Sequence, residues 1–317
     1  MKNQQLTDTI LMIRPVRFGY NVETAVNNHY QQFLTALTAE EIQQRARQEF
    51  DAFVDLLRAH EVNVITVEDT PEKDTPDSIF PNNWISFHDD GTVVTYPMWA
   101  PNRRLERRED IIGTLQREHG FRITRKIDYS HFENEEQYLE GTGSVVLDRQ
   151  NRIAYACVSP RTHLNLLEEF CAEFGFRPVA FYASQMTERG FADIYHTNVM
   201  MSIGEDLAIF CDDAVRNKWD RAQVLDVIRQ SGKEVVLITE EQCNHFAGNM
   251  LQVKSRSGKN ILVMSEQAYR SLTAEQVHRL EQRTALLYSS LATIEFCGGG
   301  SARCMMAEVF LPKKQDK

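Results

Sequence analysis

Apolar and polar residues alternate along this chain in blocks that recur about every 55 positions. In the clearest block, residues 144–147 and 153–158 alternate with period two around a polar turn at 148–152, the pattern of a half-buried β-hairpin. Residues 162–174 then carry Leu164, Leu167, Phe170, Cys171 and Phe174 at helical spacing. Gly175 ends that helix and 177–182 reads as a further strand, so the unit is ββαβ.

The next block repeats the order. Segments 199–203 and 207–211 form a hairpin around 204–206, 213–230 is a helix ending near Gly232, and 234–238 is a strand. Upstream, 84–87 and 93–96 flank an Asp89-Asp90-Gly91 turn, followed by a helix at 105–118 and a strand at 121–127. Downstream, 250–253 and 261–264 flank a 255–259 turn, followed by a helix at 274–287 and a strand at 291–294. A fifth copy is split: 305–310 supplies one strand from the C-terminus, while 10–14, a long helix at 39–60 and 62–67 supply the rest from the N-terminus. A repeat shared by both ends closes a ring without capping units. The expected fold is α/β, a five-fold pseudosymmetric propeller of ββαβ units. The competing reading is a generic α/β chain with incidental spacing, which five ordered copies disfavour. With no Pro/Gly/Ser-rich linker, residues 1–317 read as a single domain.

The repeat also aligns chemistry. Asn83, Glu140, His196, Asn249 and Cys304 fall at corresponding points, with gaps of 57, 56, 53 and 55 residues. Each opens or closely precedes an apolar run. Equivalent ends of successive units would therefore bring a thiol, an imidazole and a carboxylate together: nucleophile, acid/base and orienting acid. Taken singly, each has a bland explanation: a buried Cys, a structural His, a Glu that accepts backbone N–H groups. Cys304 follows Cys297-Gly-Gly-Gly-Ser-Ala-Arg, and those glycines let the backbone approach a ligand closely. The loop is no phosphate cradle, because it lacks GxxxxGK[ST] and leads into a strand.

Composition narrows the options. A net charge of −10 argues against a nucleic-acid partner, which demands a basic footprint. No apolar run is long enough for a bilayer and the N-terminal stretch is not a signal peptide. Six cysteines without a CxxC pair read as reduced thiols, hence a cytoplasmic protein. Without HExxH, CxxC or a close His pair, a metal site would need ligands from distant units, and it ranks below thiol catalysis. No cofactor is expected.

These motifs together, His196-Thr-Asn198, Glu140-Gly-Thr-Gly, Asp77-Ser-Ile-Phe-Pro-Asn-Asn83 and Gly300-Ser-Ala-Arg-Cys304, resemble the signatures of the guanidine-modifying (pentein) superfamily. Its members include arginine deiminases, dimethylarginine dimethylaminohydrolases and amidinotransferases. Within it the pattern is most similar to the citrulline ureidase (citrulline utilization hydrolase) branch. The resemblance runs from Arg14-Pro15 to the final strand and implies the five-fold α/β propeller. It also implies Cys304 as nucleophile, His196 as general acid/base and Glu140 as the carboxylate that binds the planar nitrogen group. It further implies Asp77 at the substrate loop and Arg161 as the holder of the α-carboxylate.

The chain departs from the guanidine enzymes at Asn83 and Asn198, where they commonly carry aspartates. An amide both donates and accepts, whereas a guanidinium only donates. A ureido group has a carbonyl to receive the amide N–H, so the expected substrate is L-citrulline, converted to ornithine, ammonia and carbon dioxide. A neutral substrate cannot favour the thiolate by charge, so His196 or Arg303 is expected to assist. Alternatives are an arginine deiminase or dimethylarginine dimethylaminohydrolase, an amidinotransferase, or a non-catalytic amino-acid or ribosome-binding protein on the same ring.

Overall fold

The structure, a computed structural model, describes residues 4–187 and 190–314. Strand β1 (Thr9–Arg14) pairs in parallel with β2 (Asn63–Glu68). Strands β3 (Ile85–Phe87) and β4 (Thr92–Thr95) form a hairpin, and β5 (Arg125–Asp128) adds in parallel to β4. The same arrangement recurs in β6 (Val145–Asp148), β7 (Ile153–Cys157) and β8 (Arg177–Phe181). A two-stranded hairpin follows, β9 (Ser184–Thr187) with β10 (Gly190–Asp193). Then come β11 (Met201–Ile203), β12 (Leu207–Phe210) and β13 (Glu234–Leu237), and β14 (Leu251–Lys254), β15 (Asn260–Ser265) and β16 (Ala285–Ser289). Finally β17 (Ala307–Glu308) returns to β1, antiparallel, with Ile10 opposite Glu308. Among the described residues there are thus five three-stranded sheets of one design, one of them assembled from both ends of the chain.

The helix between the second and third strand of each unit packs an apolar stripe on its sheet. In Ala39–Ala59 that stripe is Ile42, Ala46, Phe50, Phe53 and Leu57, with a Thr38–Glu41 capping box at its start. Such a cap contributes about 1 kcal/mol. Among the described residues no helix is long and apolar enough to cross a membrane.

Three expectations need correction. The helix expected at 105–118 is two pieces, Pro101–Arg104 and Glu109–Arg117. Arg103, Arg104, Arg107 and Arg108 around the break all turn to carboxylates or carbonyls outside the helix. Segment 199–203 begins as a helical turn, Thr197–Met200, before β11. In the fourth unit the helix stops at Glu281, β16 takes Leu287, and the segment expected as a strand at 291–294 enters a helix, Ala292–Gly298. The deciding contact is distant in sequence: Glu49 accepts hydrogen bonds from the Thr293 and Ile294 N–H groups, capping that helix from Ala39–Ala59.

Candidate active site

Each candidate side chain sits at the entry to the first strand of its sheet. Asn83 closes a 3-10 turn (Pro81–Asn83) before β3, Glu140 precedes the turn Gly141–Ser144 before β6, and His196 precedes Thr197–Met200 before β11. Asn249 and Cys304 stand just ahead of β14 and β17. The turns abut directly, and glycine makes this possible. A Cβ on Gly141, whose φ is +48°, would lie 2.4 Å from Asn82 O. One on Gly143 would lie 2.3 Å from Asn83 Nδ2 and 2.8 Å from His196 Nδ1.

Cys304, His196, Asp77, Asn83, Arg103, Arg161 and the 298–300 glycines line one small cavity. Glu140 lies behind the imidazole, with Oε2 2.7 Å from His196 Nε2. Burial would raise the Glu140 carboxyl, but Arg161, the hydrogen bond from His196 and Arg103 outweigh it and hold it at about 2. Burial lowers His196 to about 4, against the pull of Glu140. At neutral pH the pair is therefore carboxylate and neutral imidazole. The carboxylate can only accept, so Nε2 carries the ring proton and Nδ1, on the Gly143 side, keeps its lone pair for proton transfer.

Cys304 is buried, and its Sγ accepts two amide N–H groups, from Asn249 Nδ2 at 3.2 Å and Asn198 Nδ2 at 3.5 Å. The Asn249 amide cannot turn round. Its Oδ1 accepts the Arg303 backbone N–H at 3.1 Å and its Nδ2 also donates to Asn198 O at 2.9 Å.

Asn83 is oriented in the same way. Arg103, which only donates, gives Nη1–H to Asn83 Oδ1 at 2.9 Å. Arg103 is itself held by both oxygens of Glu106 at 2.9 Å each. The Asn83 Nδ2 is left buried without a partner, as are Asn198 Oδ1 and Asp77 Oδ1. The other Asp77 oxygen accepts from Asn21 Nδ2 at 2.7 Å and Thr24 Oγ1 at 3.1 Å. Burial raises the Asp77 carboxyl and Arg103 opposes the rise. One vacant donor and two vacant acceptors thus lie in or beside a cavity of about 10 Å³.

What closes the cavity is the segment between β1 and the first long helix. Besides Asn21 and Thr24, Asn28 Nδ2 donates to Gly298 O and Gly299 O, and Gln31 Nε2 to Cys297 O. An amino-acid ligand requires this segment to move.

The structure brings together Cys304, His196, Glu140, Asp77, Asn83 and Asn198. Two of the assigned residues meet protein partners in this structure. Each Glu140 oxygen already accepts a hydrogen bond: Oε1 from the Trp99 N–H at 2.9 Å and Oε2 from His196. Its bond to the imidazole is that of the orienting acid the repeat implied. The Arg161 fork is filled by the covering segment, whose movement would free it for an α-carboxylate. Its Nε donates to Asn27 Oδ1, its Nη2 to Asn27 Oδ1 and Thr24 O, and its Nη1 lies 3.5 Å from Glu140. Arg303, expected to assist the thiolate, sends its guanidinium to Met306 O and Glu308, and only its backbone N–H serves the site. Sequence reading missed Arg103, whose signal is one arginine among four in 103–108 and cannot be singled out. It left Asn249 without a role, although the repeat had marked the position.

Five sheets of one design, with thiol, imidazole and acid at equivalent ends, define a protein of the pentein, guanidine-modifying superfamily, whose hydrolases act on C–N bonds. Residues 14–311 match the family described as N,N dimethylarginine dimethylhydrolase, eukaryotic, and the chain belongs to that family. No curated protein sequence matches it. Among solved structures, ArgZ, an arginine dihydrolase from the ornithine-ammonia cycle in cyanobacteria, superposes with a TM-score of 0.72 at 17% identity. That match covers 96% of this chain and 41% of ArgZ, so this chain spans about two fifths of that protein. The separate N-terminal domain of ArgZ, bound to substrate, matches at TM-score 0.69 and 18% identity over 96% of this chain and 99% of the domain. A dimethylarginine dimethylaminohydrolase in an adduct with S-methyl-L-thiocitrulline matches at 0.61 and 14% identity, covering 96% and 99%.

Proposed function

We propose that this protein is a thiol hydrolase of the ureido group of L-citrulline, yielding L-ornithine, ammonia and carbon dioxide. The observation that carries the reading is the Asn83 amide. Arg103 binds its oxygen, and its N–H edge, beside Gly143 at the margin of the cavity, has no partner. A ureido oxygen would accept it, while the ureido N–H groups meet Asn198 Oδ1 and Asp77 Oδ1. A guanidinium, which only donates, would leave the Asn83 donor buried and unpaired at about 1–3 kcal/mol.

In the proposed reaction, His196 Nδ1 takes the Cys304 thiol proton as the sulfur attacks the ureido carbon, and the carbonyl becomes an oxyanion held by Asn83 Nδ2. His196 delivers a proton to the departing nitrogen. If ornithine leaves, an S-carbamoyl enzyme remains; His196 then takes a proton from water, which attacks the carbonyl carbon and expels the thiolate. The carbamate released breaks down to ammonia and carbon dioxide. If ammonia leaves first, the intermediate keeps ornithine and the final products are the same. Glu140 holds the imidazole in its reactive tautomer. Asn249 and Asn198 stabilise negative charge on sulfur without a cation, a role a neutral substrate leaves to the protein.

The five sheets are read as blades of a five-fold propeller around this site, within one catalytic domain. Six free cysteines support a cytoplasmic setting. The substrate is a small amino acid, with no cofactor and no nucleic-acid or membrane partner.

A guanidino substrate is the second reading. The family match and the likeness to arginine dihydrolase ArgZ favour it. It covers arginine deiminase and dimethylarginine dimethylaminohydrolase activities. Incubation with citrulline, arginine and dimethylarginine separately, with products identified by mass spectrometry, separates the two. Ornithine from citrulline supports the proposal; citrulline formed from arginine, with citrulline itself untouched, reverses it.

A further inference from the structure

Strands β3 and β6 start beside Asn83 and Glu140 and end at a second cavity, of about 150 Å³. Its walls include Gln4, His88, Arg149, Phe174, Phe176 and Phe310. It shares no residue with the site around Cys304.

Four arginines are buried among the described residues: Arg103, Arg149, Arg161 and Arg303. Three have their N–H edges filled by protein oxygens. Arg103 is clamped by Glu106, Arg161 by Asn27 and Thr24, and Arg303 by Met306 O and Glu308. Arg149 is the exception. Its backbone N–H is held by Gln5, but its guanidinium has no hydrogen bond and no ion pair among the described residues. Its guanidinium carbon stands 4.0 Å from the Phe310 ring centroid. Stacking uses the face of the guanidinium and leaves the in-plane N–H donors for another partner.

The surroundings do not neutralise that charge. Burial lowers the Arg149 guanidinium from its ordinary value, with Glu308, Tyr96 and Asp89 opposing and Arg303 adding to the fall. His88 stacks on Phe174 at 4.1 Å and takes a 3.0 Å hydrogen bond with Ser86 Oγ through Nε2. Burial, then Arg149 and Arg152, push it well below its ordinary range, so it stands neutral and uncharged beside Arg149. Arg152 sits 5.3 Å over Phe176 and gives an N–H to Phe174 O. The acids that reach the cavity are elsewhere engaged or at the rim. Glu173 pairs with Arg125 at 2.6 Å, Asp90 Oδ1 accepts the Thr92 N–H, and Asp89 is exposed. The Arg149 nitrogens are not among the buried, unpartnered polar atoms and so open to the cavity, where an anion that accepts two in-plane N–H bonds satisfies both charge and donors.

We propose that this cavity binds a small oxyanion, a carboxylate or a phosphate group, gripped by the in-plane edge of Arg149. The neighbouring aromatic rings shape it for a compact ligand, since 150 Å³ is the room of roughly five water molecules.

Titration calorimetry on the full chain tests this, with sodium phosphate and sodium malonate each compared with sodium chloride at equal ionic strength. Wild type and Cys304→Ser are expected to bind one equivalent of phosphate or malonate, and which of the two binds identifies the oxyanion. Arg149→Gln is expected to bind at least tenfold more weakly, and Arg149→Lys, which keeps charge without the fork, to fall between. Binding no tighter than chloride in wild type, or equal in Arg149→Gln, overturns the proposal. Should Arg149→Gln fail to fold, crystals of the wild type soaked in selenate decide: an anomalous peak within hydrogen-bond distance of the Arg149 guanidinium supports the site, and its absence there sinks it.

Discussion

Asn249 Nδ2 stands 3.2 Å from Cys304 Sγ, and the Arg303 backbone N–H on Asn249 Oδ1 keeps it facing that way. The amide is a fixed neutral donor aimed at a sulfur that must carry negative charge to react. Asn249→Ala is expected to slow alkylation of Cys304 by iodoacetamide about tenfold at neutral pH, the value of one hydrogen bond to a charged group. Asn249→Asp, which reverses the charge beside the sulfur, should slow it further. Equal rates in all three proteins would reduce Asn249 to a packing role.

Asn83→Asp removes the vacant N–H and places a second acceptor in the cavity. The ratio of kcat/KM for citrulline over arginine is expected to fall about ten- to a hundredfold. An unchanged ratio, measured with both substrates on the same preparation, removes Asn83 from substrate choice.

Arg103→Lys tests the same idea one step back. A lysine keeps the charge beside Glu106 but loses the fork that also grips Asn83 Oδ1. The Asn83 amide can then turn either edge to the cavity. Citrulline should lose preference by less than in Asn83→Asp, while the Cys304 alkylation rate stays at the wild-type value.

Acid stability follows from the His196–Glu140 pair. His196 falls from its ordinary 6.5 to about 4 on folding, so the unfolded chain binds the extra proton between those values. Its share of stability is complete above pH 6.5 and is lost progressively as pH falls to 4. At about 1.4 kcal/mol per unit this is on the order of 3 kcal/mol. Glu140, held at about 2 against an ordinary 4.5, adds a loss of the same sign below pH 4.5. Urea unfolding across pH 4–7 is expected to show a shallower decline for His196→Gln than for wild type. Parallel curves would place the acid sensitivity elsewhere.

Much of the fold is legible in the apolar pattern because each unit carries its own hairpin, helix and parallel strand. The split fifth unit was legible too: segments 10–14 and 62–67 match the alternation of the internal copies, and β17 pairs with β1 across the termini. The fourth unit was misread where an apolar run, 284–294, is ambiguous locally. Glu49, more than two hundred residues away, caps one part of it as a helix.

The sequence by itself determined which atoms are available: a thiol, an imidazole, an acid and two asparagines at one register of a repeat, with Asn198 two residues after the imidazole. That register is local information, written in spacing and in turn glycines such as Gly141 and Gly143. Only the tertiary structure decided what each group faces. An amide has a donor edge and an acceptor edge, a carboxylate two oxygens, an arginine five N–H groups, and neighbours from other units choose among them. So Glu140 turned to His196, Arg161 to Asn27 and Asn83 to Arg103, because buried polar groups pair with the nearest complementary atom, and that neighbour comes from elsewhere in the chain.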